Sequence, residues 1–118
     1  MSRLRGREAE RMAERFLRRR GLECLHRNYQ CRWGEIDLLM RHGDILVVVE
    51  VRARAPGARC SAEESVSAAK RARIIAAARH FLARHPRLAA GPVRFDVVAI
   101  SPGGGDNELR WIEAAFSA

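Results

Sequence analysis

Three acidic side chains lie inside two runs that are otherwise apolar, and their type and position are suited to chemistry. The first run carries Glu35 and Asp37, and the second carries Glu50. A turn at His42-Gly43-Asp44 separates the runs, a pattern that predicts a β-hairpin. Aspartate and glutamate are depleted in strands and are costly to bury without a partner. The acids therefore mark this hairpin as the first place to look for a functional site.

The predicted hairpin would bring two carboxylates close together. Side chains alternate along a strand, so Glu35 and Asp37 should share one face, and Glu50 and Arg52 should share one face of the partner strand. If Asp37 lies beside Glu50, the two groups repel unless a cation lies between them. Mg²⁺ prefers oxygen ligands, and a bound divalent ion activates water and neutralises charge on a phosphodiester. The pattern favours a Mg²⁺ or Mn²⁺ site that hydrolyses phosphodiester bonds.

Further charged residues could complete such a site. Arg52 or Lys70 could orient the attacking water or stabilise the phosphate in the transition state. Glu10, on the first predicted helix, is either a third acid of the site or a member of a surface ladder of charges. Glu35 is either an outer acid of the site or the ion partner of an arginine.

The composition predicts a folded, basic protein. The chain has 118 residues, of which 47% are hydrophobic and 31% charged, so we expect one globular domain. Its net charge of +8 favours a polyanionic partner: DNA, RNA or a membrane surface. Because Lys70 is the only lysine among the 22 basic residues, a bias toward arginine is the competing explanation of this charge. The arginines predicted to contact nucleic acid are Arg11, Arg54, Arg59, Arg71 and Arg73.

Two features predict a cytoplasmic protein. The N-terminal residues lack the apolar core of a signal peptide, and no apolar run approaches the length of a membrane span. The three cysteines, Cys24, Cys31 and Cys60, lack the C-x-x-C spacing of common metal and redox motifs. Their odd number and sparse placement are typical of a reducing compartment.

Apolar periodicity and turn residues predict the order αβββαβ, a mixed sheet flanked by helices. The second helix should follow a capping box at Ser61 to Glu64 and stop at Pro86. Because a strand, a helix and a strand follow in succession, the third and fourth strands should be parallel neighbours. Residues 109–116 could form a last strand or a helical end. The predicted elements are a helix over 3–20 and strands over 22–32, 34–40, 45–52 and 93–100.

Several motifs together resemble the YraN-type family of uncharacterised bacterial proteins, grouped with the PD-(D/E)XK nucleases and similar to archaeal Holliday-junction resolvases. The resemblance covers nearly the whole chain. It implies a restriction-endonuclease-like core over residues 3–101, with a C-terminal extension over 102–118. It also implies cleavage of branched or structured DNA, and a homodimer, since a resolvase cuts two strands symmetrically. The motifs are Glu10-x-x-Ala13-x-x-Phe16-Leu17, Asn28, Gly34-Glu35-Ile36-Asp37-Leu38, Val49-Glu50-Val51-Arg52-x-Arg54, Ser65-Val66, Lys70 and Arg94-Phe95-Asp96-Val97-Val98.

The resemblance also implies roles for individual residues. Asp37 and Glu50 match the two motif acids, Glu10 matches the acid of the first helix, and Arg52 stands where the motif has lysine. Arginine cannot readily lose a proton, so Arg52 could bind phosphate but could not act as a general base. Lys70 is the candidate substitute, because the motif lysine of related nucleases can move to this helix. The departure at Arg52 leaves open an alternative, a nucleic-acid-binding module that keeps the nuclease fold without its activity.

Overall fold

A five-stranded mixed sheet with one long helix on each face positions the acidic residues. The computed structural model describes residues 2–53, 66–103 and 106–118, and the side chains within 6–53, 66–101 and 109–118. Arg54, Arg59, Cys60 and the predicted capping box fall outside the described residues. The elements are α1 (Ser2–Arg19), β1 (Glu23–Cys31), β2 (Gly34–His42), β3 (Ile45–Ala53), α2 (Ala68–Ala83), α3 (Pro86–Ala89), β4 (Val93–Gly103) and β5 (Asp106–Phe116).

The strands lie in sequence order, β1-β2-β3-β4-β5. β3 and β4 are parallel, and the other neighbours are antiparallel. The predicted hairpin and the predicted parallel crossover are therefore both confirmed. The segment 109–116, left open between strand and helix, lies in β5, which extends the sheet as an edge strand beside β4.

The central strand β3 is apolar on both faces because a helix covers each of them. Leu46 and Val48 belong to the core cluster that contains α2 residues, whereas Val47 and Val49 belong to the cluster that contains α1 residues. All four are at most 1% exposed. By the same alternation, the side chain of Glu50 lies on the α2 side of the sheet.

The ends of the helices follow local capping rules. α1 ends as predicted before Gly21, whose φ of +94° suits glycine. α2 begins at a cap that was not predicted, Ser67, whose Oγ accepts the backbone N–H of Lys70 at 3.1 Å. The short helix α3, which starts at Pro86, was not predicted either. No helix in the described part of the chain is long and apolar enough to cross a membrane.

Candidate carboxylate site

Asp37 lies where the regular pairing between β2 and β3 ends. The last pair of that ladder is Leu38 with Val49, so the next positions in the same register are Asp37 and Glu50. On the other side of β2, the pairing with β1 places Asn28 opposite Asp37. The three positions thus form one row across three strands.

The backbone is irregular at this row. Ile36 packs in the core cluster on the α2 side, whereas Leu38, two residues later, packs in the cluster on the α1 side. In a regular strand these two side chains would share a face. The regular alternation from which a shared face of Glu35 and Asp37 was predicted therefore does not hold between Ile36 and Leu38. The neighbouring Asn28 has a φ of +52°, a left-handed conformation that asparagine tolerates better than most residues.

The carboxyl groups of Asp37 and Glu50 lie within hydrogen-bonding reach of each other. The backbone N–H of Val51 donates to Asp37 Oδ2 at 2.8 Å, which fixes the aspartate at the end of the ladder. Burial, and then the charge of Asp37, raise the pKa of Glu50 to about 8. Burial also raises the pKa of Asp37, although its hydrogen bond from Val51 opposes the shift. The buried Glu50 and the half-buried Asp37 therefore resist ionising together.

Two cationic side chains, Arg52 and Lys70, contact Glu50. Lys70 Nζ, from the first turn of α2, lies 3.7 Å from Glu50 Oε2, and Arg52 Nη1 lies 3.4 Å from the same oxygen. The glutamate side chain is only 4% exposed, whereas those of Lys70 and Arg52 are 28% and 35% exposed. The two cations oppose the rise in the pKa of Glu50 but do not cancel it. A further positive charge at the site would therefore be electrostatically favourable.

Glu10, from α1, is the third acid that interacts with Asp37 or Glu50 at this site. Its carboxyl interacts with the carboxyl of Asp37 and with the side-chain amide of Asn28. Burial, and then Asp37, raise the pKa of Glu10, and the hydrogen bond from Asn28 opposes them. Glu35 is exposed and accepts a weak hydrogen bond from Gln30 at 3.4 Å. Its charge acts on both Glu10 and Asp37, which supports its placement at the edge of the site.

Asn28 is the site residue to which the sequence analysis assigned no role. It contributes a left-handed backbone position opposite Asp37 and a hydrogen bond to Glu10. An asparagine inside a predicted strand is unusual, because asparagine is depleted in strands and is enriched where φ is positive. That signal could have identified Asn28.

The three predicted metal ligands meet in pairs and do not form a single group. Among the described residues, no three His, Cys, Asp or Glu side chains are gathered so that they could hold a metal ion. Asp37 instead contacts Glu50 and Glu10 separately. Lys70 acts on both Asp37 and Glu50, and Arg52 contacts Glu50. Two carboxylates completed by water are a donor set that suits Mg²⁺, which usually keeps several waters.

The arginines predicted to contact nucleic acid have different surroundings. Arg11 on α1 and Arg73 on α2 are exposed. Arg71 is half-buried: its Nε donates to the carbonyl of Val66 at 3.0 Å, and its guanidinium lies 5.3 Å from the ring centroid of Phe116. Arg71 therefore also contributes to packing.

Other buried acids in the described region have partners that account for them. Asp96, which is fully buried, accepts two hydrogen bonds from Arg94 at 2.9 Å and one from the Trp111 indole at 2.8 Å. Asp96 and Arg94 therefore form a pair within the fold. Glu14 accepts two hydrogen bonds from Arg27, at 2.6 and 2.7 Å. Both acids are neutralised locally, in contrast to the Asp37–Glu50 pair.

Comparison with known proteins gives consistent matches along the chain. Residues 9–100 match the model of the family described as "Uncharacterised protein family UPF0102". A UPF0102 protein of Methylobacillus flagellatus is 46% identical over 113 residues, covering 96% of each chain. One of Ectopseudomonas mendocina is 49% identical over 113 residues, covering 96% of this chain and 94% of its own. One of Pseudomonas aeruginosa is 47% identical over 119 residues, covering 99% and 95%.

Proposed function

We propose that this chain, which belongs to the UPF0102 family, is a divalent-metal-dependent endonuclease that hydrolyses phosphodiester bonds in branched or structured DNA. One observation carries the proposal. The buried carboxyl of Glu50 lies against that of Asp37 at the end of a strand ladder, with Lys70 Nζ 3.7 Å away. Arg52 and Lys70 both contact Glu50, yet its pKa stays raised, so these partners do not offset the cost of burying it beside Asp37.

Asp37 and Glu50 are the residues that would hold Mg²⁺ or Mn²⁺, with Glu10 placed to act on Asp37. When bound, such an ion activates water and neutralises phosphate charge. The chain's own contribution is to keep two carboxyl groups adjacent where neither can ionise easily alone. That arrangement favours a cation over a proton once the pH allows both groups to ionise.

Lys70 and Arg52 would have different roles beside these acids. Lys70 would orient the attacking water or stabilise the charge that develops on the phosphate, because a lysine ammonium is compact and can lose a proton when desolvated. Arg52 would bind a phosphate oxygen without exchanging protons. Lys70 on α2 would thus replace the motif lysine as the catalytic cation. Arg52 occupies the position on β3 where the motif has that lysine.

The order of the elements supports a restriction-endonuclease-like core. A helix, three antiparallel strands, a crossover helix and a parallel strand follow each other, and the two acids come from adjacent strands β2 and β3. This agrees with the PD-(D/E)XK resemblance of the sequence. β5 would then be an addition to that core.

A cleavage assay tests the proposal. Purified protein is incubated with Mg²⁺ or Mn²⁺ and with four-way junctions, flaps, single strands and duplex DNA. We expect nicking that requires the metal and is lost in Asp37→Asn and Glu50→Gln. Glu23→Gln is the matched control, because Glu23 is 60% exposed in a surface ion pair with Arg41. Cleavage that persists in both site variants would show a contaminating nuclease and overturn the proposal.

The competing function is a nucleic-acid-binding module without catalysis. Arg52 in place of lysine favours it, and so does the absence of a three-ligand metal group within the described residues. Such a module would bind DNA in the presence of EDTA as tightly as in Mn²⁺ and would cut none of the substrates. Metal-dependent nicking would exclude it.

A further inference from the structure

We infer that the turn between β1 and β2, formed by Arg32 and Trp33, stacks on an unpaired nucleobase beside the carboxylate site. The inference rests on the proposed function and narrows its substrate class. The enzyme would select DNA with unpaired nucleotides next to the scissile phosphate, such as flaps, gaps and junctions, over continuous duplex.

Trp33 is the exposed large hydrophobic side chain in the described part of the structure. It is 52% exposed, although tryptophan is usually largely buried. The guanidinium of Arg32 lies 4.8 Å from the ring centroid of Trp33, within the range of a cation–π contact. An indole ring and a guanidinium plane are the two surfaces on which proteins stack nucleobases.

The turn lies close to the acids along the strand. Gly34, the first residue of β2, follows Trp33 directly, and Asp37 is four residues beyond Trp33 along the chain. At about 3.3 Å per residue this separation is roughly 13 Å. It corresponds to roughly four stacked nucleotides at about 3.4 Å each. A base held at Trp33 would therefore be only a few nucleotides from a phosphate at Asp37 and Glu50.

Helix α2 adds positive charge beside the turn. A Cβ built on Gly34 would lie 2.7 Å from the carbonyl oxygen of Arg73 and 3.0 Å from Arg73 Cβ, so α2 packs directly on the residue after Trp33. The exposed side chain of Arg73 therefore starts next to the turn. Arginine beside an aromatic ring suits a nucleotide, which presents a phosphate and a base together.

The stacking chemistry selects for unpaired bases. In continuous duplex DNA each base face is covered by its neighbours, so an aromatic ring on a turn has no base face to contact. In a gap or flap the faces are free, and stacking on an aromatic ring does not depend on sequence. The chain's net charge of +8 favours a polyanionic partner over one with a basic or neutral surface.

Fluorescence anisotropy of labelled DNA tests the inference, with the full chain in EDTA so that nothing is cut. Wild type, Trp33→Ala and Trp33→Phe are titrated on a continuous duplex and on the same duplex with a single-stranded gap. For Trp33→Ala we expect about tenfold weaker binding to the gapped DNA and less than about twofold change on the duplex. Trp33→Phe should recover most of the loss.

Arg87→Ala is the matched control for a surface change. Arg87 is exposed on α3, which ends near the β2–β3 turn, since a Cβ on Gly91 would lie 2.8 Å from the Asp44 carbonyl oxygen. That turn is at the opposite end of β2 from Trp33. Arg87→Ala should affect gapped and continuous DNA equally.

Four results would overturn the inference. They are no DNA binding by wild type, no loss of gapped binding in Trp33→Ala, an equal loss on both substrates, or a change of oligomeric state in Trp33→Ala by sedimentation. The last result would make the turn a contact between copies of the chain. Because the assay needs no hydrolysis, absence of cleavage by wild type would overturn the proposed function and leave the binding result interpretable.

Discussion

At the scale of single residues, the protonation of Glu50 links the site to stability. Its pKa rises from 4.5 to about 8 in the folded protein, mainly through burial. Between these values the folded state keeps a proton that the unfolded chain has released. Stability therefore falls as the pH rises through this interval, because the folded state binds more protons there. The raised pKa of Asp37 acts in the same direction.

We predict that Glu50→Gln stabilises the metal-free protein at alkaline pH. The amide stays neutral, so the repulsion with Asp37 and the cost of a buried charge are both removed. At pH 9 the variant should be more stable than wild type by roughly 1–3 kcal/mol, and the two should be similar at pH 5. Urea unfolding in EDTA at both pH values measures this, with Glu23→Gln as the exposed control. Parallel pH profiles for wild type and Glu50→Gln would contradict the site electrostatics.

A second residue-scale prediction separates the two cations. Lys70→Met should lower the cleavage rate by about 10²–10³-fold, because it removes the group expected to handle the water or the developing charge. Arg52→Met should mainly raise KM, because phosphate binding is lost, and Arg52→Lys should retain most of the activity. Steady-state kinetics on a nicked-product assay measures these effects. A larger decrease in kcat for Arg52→Met than for Lys70→Met would reverse the roles assigned to Arg52 and Lys70.

The chemistry of the acids could be predicted from sequence, because Asp37 and Glu50 are carboxylates in strands that are otherwise apolar. Regular alternation also placed Glu50 and Arg52 on one face correctly, and their side chains are in contact. It does not hold between Ile36 and Leu38, whose side chains pack on opposite faces of the sheet. Asn28, on the neighbouring strand, has a positive φ at this row, a backbone conformation that no period in the sequence encodes.

At the scale of elements, the close approach of α2 to β2 sets the distance between Lys70 and the acids. Gly34 allows it, since a Cβ there would lie 2.7 Å from the carbonyl oxygen of Arg73. Because backbone atoms are involved, the helix would have to move, and a shift of about 1 Å at a site of this kind can cost about 10²-fold in rate.

Gly34→Ala is therefore predicted to destabilise the fold and to impair the site. We expect a loss of about 1–3 kcal/mol in unfolding free energy, as in other overpacked positions. Gly6→Ala is the control that should change stability in the opposite direction, since Gly6 lies in α1 with no atom within 4 Å of a built Cβ. That change should stabilise the helix by about 0.5–1 kcal/mol. Thermal melts of both variants give the comparison, and an unchanged melting temperature for Gly34→Ala would contradict the packing.

Most helices and strands could be predicted from sequence, because their patterns are each typical of one structure. These patterns are the apolar stripe of α1, the continuous apolar run of β3 and the strand–helix–strand order. β5 was left open, since residues 109–116 alternate poorly. The reason lies in tertiary contacts: Ala114 has a φ of +51°, and its backbone N–H donates to the buried Asp96 at 2.9 Å.

At the scale of the whole molecule, charge and topology act together. The parallel crossover places α2 against the strands that carry the acids, while exposed arginines lie on both helices.

Because the predicted partner is a polyanion, contact with it should release counterions. We predict that DNA affinity falls at least tenfold between 50 and 200 mM salt, as expected for a protein that contacts only a few phosphates. Proteins that contact six to ten phosphates lose about 10³–10⁵-fold in affinity over the same range. Anisotropy titrations at several salt concentrations measure the slope. Affinity that does not change with salt would exclude the basic surface as the binding face.

Calorimetric titration of Mn²⁺ into wild type, Asp37→Asn and Glu50→Gln tests most directly whether these carboxyls hold a divalent ion. Wild type should bind Mn²⁺ more tightly at pH 8.5 than at pH 6, because the ion must displace the proton of Glu50, and binding should release protons to the buffer. Both variants should lose the heat of binding. No uptake by wild type at pH 8.5, or equal uptake by all three proteins, would contradict the account.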